Sequence, residues 1–211
     1  GAGLLRIGMV RPLAVELVPK LAGAFLKERP EGEVRFAFHT DVTHALLGQL
    51  EAGELDAVFS SPPPEQLGLS SHPVGRQDLV VIVPEDHPLA GRGEIDLGEL
   101  LDTDTPLVAF SKNSGLRDVV DGLFARAGRV PLSAYETEDD EAIAGLVAGG
   151  FGAAVVPDME LLKRLPVRAL AIRTPVWERK FCLVWADRRS TPLLEQFCRF
   201  VAGQGEFVVR E

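Results

Sequence analysis

Short apolar runs alternate with amphipathic stretches along almost the whole chain, the pattern made by parallel sheets covered with helices. Residues 4–9 read as a first strand. Pro12 then suits a helix start, because a proline in the first turn gives up no hydrogen bond. Leu13, Leu17, Leu21 and Phe25 recur on one face of that helix, widened by Val18 and Ala24. A second strand over 34–39 runs into Thr40 and Asp41, either of which can cap a helix carrying Val42, Leu46, Leu47 and Leu50 and stopped at Gly53. The third strand, 55–59, ends in Ser60 and Ser61, and the prolines at 62–64 then force a loop. The first lobe is therefore expected to be a βαβαβ sheet.

The run 79–84 is almost all Val, Ile and Leu, as a strand covered on both faces should be. A polar turn over 85–94, a short helix near 96–101 and a strand at 107–110 follow. Asn113 or Ser114 can cap the next helix, whose apolar face is Val119, Val120, Leu123 and Phe124 and whose stop is Gly128. The same grammar repeats with a strand at 132–137, a helix containing Ile143, Leu146 and Val147, and strands at 153–156, 167–172 and 181–185. A last helix is capped at Ser190 or Thr191, with Pro192 in its first turn. The break near 75–78 and the late strand at 181–185 suggest two lobes joined by two crossings.

Composition fits a globular chain with a real core: 211 residues, 46% hydrophobic and 25% charged. The formal charge of −9, with no clustered basic face, argues against nucleic acid touching this segment. No apolar run approaches the roughly 20 residues needed to span a bilayer. No secretion signal is read at the amino terminus, so a cytoplasmic protein without membrane contact is expected. Cys182 and Cys198 lie in apolar segments and read as buried, inert thiols.

In open parallel sheets, ligands lie beyond the carboxyl ends of the strands. That rule selects Arg11, Pro12, Thr40, Asp41, Ser60 and Ser61 in the first half of the chain. In the second half it selects Ser111, Asn113, Ser114 and Thr137. Unpaired amides at helix starts near Pro12, Thr43 and Ser114 would attract an anion. Each assignment has a plainer alternative. The turn 111–115 is equally a helix cap, Arg11 could pair with Asp41, and a strand-end Phe110 belongs in a core. His39, His44 and His72 stand singly and no metal spacing occurs; His87 reads as part of a structural turn, and the acidic run 136–141 as a solvated cap. No nucleophile elbow, zinc-protease helix, phosphate loop or dinucleotide fingerprint is present, so neither an enzyme nor a cofactor is expected.

The phrases "LRIGMV", "LVPKLAGAFLKERP", "LEAGELDAVF", "LVVIVPEDHPLA" and "LVAGGFGAAVVP", in that order, resemble the effector-binding domain of LysR-type transcription regulators. The resemblance implies an α/β fold of two Rossmann-like lobes with an interlobe cleft, the type 2 periplasmic-binding-protein architecture. It implies lobe I over 1–77 and 184–211 and lobe II over 78–183. A small-molecule effector, a carboxylate or another anion, would sit in the cleft and be coupled allosterically to DNA binding through an absent amino-terminal winged helix-turn-helix. It further implies a head-to-tail homodimer in which the first helix packs beside the partner's helix over 117–127. Arg11 stands where many members carry a small hydroxyl residue. A solute-binding receptor of a transporter would use the same fold and is the competing reading.

Overall fold

The structure, a computed structural model, describes residues 3–210. Strand β1 (Gly3–Met9) leads through a 3₁₀ turn (Arg11–Leu13) to helix α1 (Leu17–Lys27). The helix therefore begins later than Pro12. Pro19 supplies the reason: in a helix begun at Pro12 its ring would meet the carbonyl of Val15, four residues back. With the helix begun at Leu17, Pro19 falls in the first turn, where its missing N–H costs nothing.

β2 (Val34–Thr40), α2 (Thr43–Glu51) and β3 (Ala57–Ser60) follow. Neither Thr40 nor Asp41 caps α2. Thr40 ends β2, Val42 takes the cap position, and no side chain satisfies the first amides of the helix. β4 (Ser70–Pro84) then runs for 15 residues straight through the expected break at 75–78. Gly75 reflects a close approach: a side chain there would meet the carbonyl of Phe207 at 3.0 Å and Leu17 at 3.2 Å. The remaining elements are β5 (Glu94–Asp96), α3 (Leu97–Leu101), β6 (Leu107–Phe110), α4 (Gly115–Arg126), β7 (Ser133–Thr137) and α5 (Asp140–Ala148). They are followed by β8 (Ala154–Pro157), β9 (Val167–Thr174), β10 (Glu178–Trp185), α6 (Pro192–Ala202) and β11 (Phe207–Val208). The short strands β5 and β11 were not expected.

The chain divides into two compact units, one ending at Arg76 and resuming over Arg179–Val209, the other Gln77–Glu178 with Arg210. In the first unit β1 lies between β2 and β3 in parallel, and β10 runs antiparallel to β3. Its core includes Leu5, Ile7, Leu13, Val18, Phe25, Leu46, Leu50, Phe59 and Phe181. Phe25, Phe36 and Phe197 meet edge to face at centroid distances of 5.1–6.3 Å, the geometry ring quadrupoles favour.

In the second unit the apolar half of β4 pairs antiparallel with β8 and β9, β5 lies parallel to β9, and β6 lies parallel to β7. The core here is separate, built from Val81, Ile82, Val83, Val108, Phe110, Phe124, Ile143 and Val156 among others. Two helix starts in this unit are capped as the local sequence predicts: Ser114 accepts from the Leu116 amide and Asp139 from the Glu141 amide.

Candidate functional site

Register decides which strand ends meet. In the first unit Met9 is opposite both Thr40 and Phe59, so β1, β2 and β3 finish level. The chain leaving β1 is laced to both neighbours: the Val10 amide donates to the Phe59 carbonyl (3.0 Å) and the Asp41 amide to the Met9 carbonyl (3.3 Å). Arg11, Pro12, Thr40, Asp41, Ser60 and Ser61 therefore lie along one sheet edge spanning two strand gaps, on the order of 10 Å.

These residues differ in what they offer a ligand. Arg11 is exposed and forms no ion pair with any described residue. The expected internal partner is otherwise engaged, since Asp41 accepts from the Val42 amide (2.7 Å) and lies 3.5 Å from His39 Nε2. Thr40 is exposed and Pro12 half-buried in the 3₁₀ turn. The helix-start donors expected near Pro12 are consumed there, because the Leu13 and Ala14 amides bond back to Val10 and Arg11. Ser60 is fully buried and its hydroxyl donates to the Ser61 carbonyl (2.8 Å), which leaves it structural work.

Thr43 was read only as a helix start, yet its hydroxyl accepts from the Ser61 amide at 3.3 Å. That bond joins α2 to the end of β3 and leaves the Thr43 proton to donate outward. With α2 uncapped, the positive end of its dipole and its first amides add to the field of Arg11.

In the second unit the turn after β6 is closed by its own backbone. The Ser111 amide donates to the Thr137 carbonyl (3.0 Å), the Ser114 amide to the Ser111 carbonyl (3.0 Å), and Ser114 Oγ accepts from the Leu116 amide (3.2 Å). Ser111, Asn113, Ser114 and Thr137 are thus drawn together at the carboxyl ends of β6 and β7. Lys112 and Asn113 stay exposed. Phe110 is 2% exposed and belongs to the core. The sequence reading also missed Arg117, whose guanidinium bonds to Phe110 O and Glu136 Oε1 at 2.9 Å each. Such pairing raises its pKa, through Glu136 first and Asp121 next. A cavity of about 20 Å³ beneath β6 and α4 holds at most one water and cannot take an effector.

Elsewhere the chemistry is quiet. His87 takes its place in the turn after β4 as expected, bonded to Thr105 and to the Leu89 amide. Both thiols are free, and burial pushes both upward in pKa, Cys198 to about 12. No described helix is long and apolar enough to cross a membrane.

Comparison with known proteins fixes the family. A family model described as the LysR substrate binding domain matches residues 1–206. The chain is 31% identical over 201 residues to the uncharacterized HTH-type transcriptional regulator YybE of Bacillus subtilis (strain 168), covering 94% of this chain and 67% of that protein. It is 27% identical to the dual regulator GltC of the same organism, covering 94% and 66%. The chain thus spans about two thirds of each of these regulators, and 51% of the regulator TtuA of Agrobacterium vitis. Among solved structures, the effector-binding domain of QuiR in complex with shikimate is 28% identical with a TM-score of 0.82, covering 97% of this chain and 98% of that one. The regulatory domain of Synechocystis PCC6803 CcmR in complex with 2-PG is 25% identical with a TM-score of 0.76, covering 96% and 97%. The curated relatives are transcriptional regulators rather than enzymes, and the two solved domains share the α/β fold described above. The chain belongs to the LysR substrate-binding domain family.

Proposed function

We propose that this chain is the effector-sensing part of a cytoplasmic LysR-type transcription regulator, acting on DNA through a helix-turn-helix segment outside this sequence. The regulators it resembles are about one and a half times as long as the stretch matched here. A transporter receptor is not favoured, since the relatives named above are regulators. The effector is a small carboxylate or another anion, and its preference for one conformation of the domain shifts the DNA-binding equilibrium.

The observation that carries the anion reading is Arg11: an exposed guanidinium without a carboxylate partner among the described residues, on the same sheet edge as the uncapped start of α2. A guanidinium binds a carboxylate bidentately, and the α2 amides add donors without charge of their own. Thr40, Ser61 and Thr43 supply hydroxyl and amide contacts beside it. Within the second unit, Ser111, Asn113, Ser114 and Thr137 form a second group of candidate ligand residues at the ends of β6 and β7. The QuiR domain is solved in complex with shikimate, a small carboxylate, and the CcmR domain in complex with 2-PG.

The test is a thermal-shift and calorimetric screen of small carboxylates against neutral analogues of equal size, with shikimate as the first probe. A ligand at 100 times its dissociation constant stabilises by about 2.7 kcal/mol, a readily measured shift. Arg11→Ala removes a charge-assisted pair and is expected to weaken the best anion about 10- to 100-fold. If Arg11→Ala and Thr40→Val both leave affinity unchanged, this site is wrong.

A head-to-tail homodimer is part of the proposal, with α1 beside the partner's α4. Exposed apolar side chains support it: Val15 is 75% exposed just before α1, and Val130 and Leu132 are 89% and 92% exposed just after α4. Sedimentation at high concentration tests this; a strict monomer refutes it.

A further inference from the structure

Arg117 stands at the third position of α4, near the positive end of the helix dipole, where a cation is disfavoured. It is also poorly hydrated, its side chain being only 15% exposed. A residue that breaks a local rule in this way needs a compensating role, and its contacts supply one. Nη1 donates to the carbonyl of Phe110, the last residue of β6, and to Glu136 Oε1 on β7, each at 2.9 Å. Nε donates to Asp121 Oδ1 and Oδ2 at 3.1 and 2.9 Å, one turn along α4. One rigid fork thus ties the end of β6, the end of β7 and the first two turns of α4.

The segment enclosed by those ties is the turn 111–115. We infer that Arg117 is a positioning residue for this turn, holding Ser111, Asn113 and Ser114 in the geometry in which they meet the effector; this rests on the reading of the turn as part of the effector site. Charge is not its contribution, because Asp121 and Glu136 more than neutralise it. Geometry is. Lysine carries the same charge on a compact ammonium and cannot reproduce the planar fork, so Arg117→Lys is expected to fail as a replacement.

Hydrogen exchange of the free protein separates this role from general stability. Arg117→Gln and Arg117→Lys are expected to speed exchange of the Ser111, Ser114 and Leu116 amides about tenfold, while the amides of β4 and β9 stay unchanged. Glu136→Ala removes one tie from an exposed strand, is expected to fold, and is expected to give a smaller acceleration at the same amides. Unchanged exchange across the turn in all three variants overturns the positioning role. Titration with shikimate adds the functional arm, with Asn113→Ala as the variant that probes the turn itself. Weakening of about tenfold by both Arg117→Lys and Asn113→Ala, at an unchanged unfolding midpoint, is the expected result. Weakening by Asn113→Ala but not by Arg117→Lys overturns the positioning role and leaves the effector reading standing. If exchange accelerates while both variants bind normally, the turn is not part of the effector site.

Discussion

Removal of the His87 side chain should weaken the second unit by an amount readable from its hydrogen bonds. Nδ1 accepts from the Leu89 amide at 3.1 Å, so the ring proton sits on Nε2 and is donated to Thr105 Oγ1 at 2.7 Å. Thr105 can then donate to Thr103 (2.7 Å), and Thr103 to the Leu100 carbonyl at the end of α3 (2.6 Å). Every donor in this relay has an acceptor only while the imidazole is neutral. His87→Ala deletes two bonds worth about 0.5–1.5 kcal/mol each and strands the Leu89 amide, a loss of about 2 kcal/mol. In urea that corresponds to a midpoint lowered by about 1 M.

The pH dependence has a definite sign. Burial lowers the His87 pKa, against a smaller opposing effect of Asp86, so the folded state favours the neutral ring. Its stabilisation is complete above the unfolded value of about 6.5 and is lost as pH falls below it, because the unfolded chain takes up the proton first. The assay is urea unfolding between pH 8 and pH 5, followed by Trp177 fluorescence, in a Trp185→Phe background. Trp177 packs on the second core and Trp185 on the first, so the signal reports the unit that holds His87. The donor assignment is refuted if His87→Ala loses less than about 0.5 kcal/mol at pH 8 and keeps the parent's loss of stability toward pH 5.

Two further outcomes are expected. Gly152→Ala should be severely destabilising, by about 3 kcal/mol or more in chemical denaturation: Gly152 has φ +148° and a Cβ there would lie 2.1 Å from the Pro106 carbonyl. A cost below about 1 kcal/mol would mean that the β6 approach is looser than described. Cys182 and Cys198 should resist a disulfide-exchange reagent at pH 8 in the folded protein and react once urea unfolds it, since burial holds both as thiols.

Much of this molecule was legible along the chain. Apolar periodicity located the strands from β1 to β10 apart from β5, and the faces of the helices, because period 2 and period 3.6 are local properties of a sequence. The caps of α4 and α6 were narrowed to Asn113 or Ser114 and to Ser190 or Thr191, because a cap bonds within three residues of itself; the structure selects Ser114 and Thr191. The start of α1 was misplaced although its signal, Pro19, was also local. β5 and β11 were missed, being too short to show a period and held by pairing with distant strands.

What the chain order alone could not decide was pairing across long separations. It left open whether Arg11 pairs with Asp41 or stays available to a ligand, whereas the fold leaves Arg11 exposed and turns Asp41 to His39 and its own backbone. It gave Thr43 no task until Ser61 was folded against it, 18 residues away. It gave Arg117 no reason to exist until Phe110 and Glu136, 7 and 19 residues away, closed around it. Backbone dihedrals and apolar faces are set by near neighbours, and so the sequence by itself determined most of the longer elements and the family resemblance. Polar side chains take the partners that strand register delivers, and so only the tertiary structure decided which of the strand-end residues are engaged in internal bonds and which stay exposed.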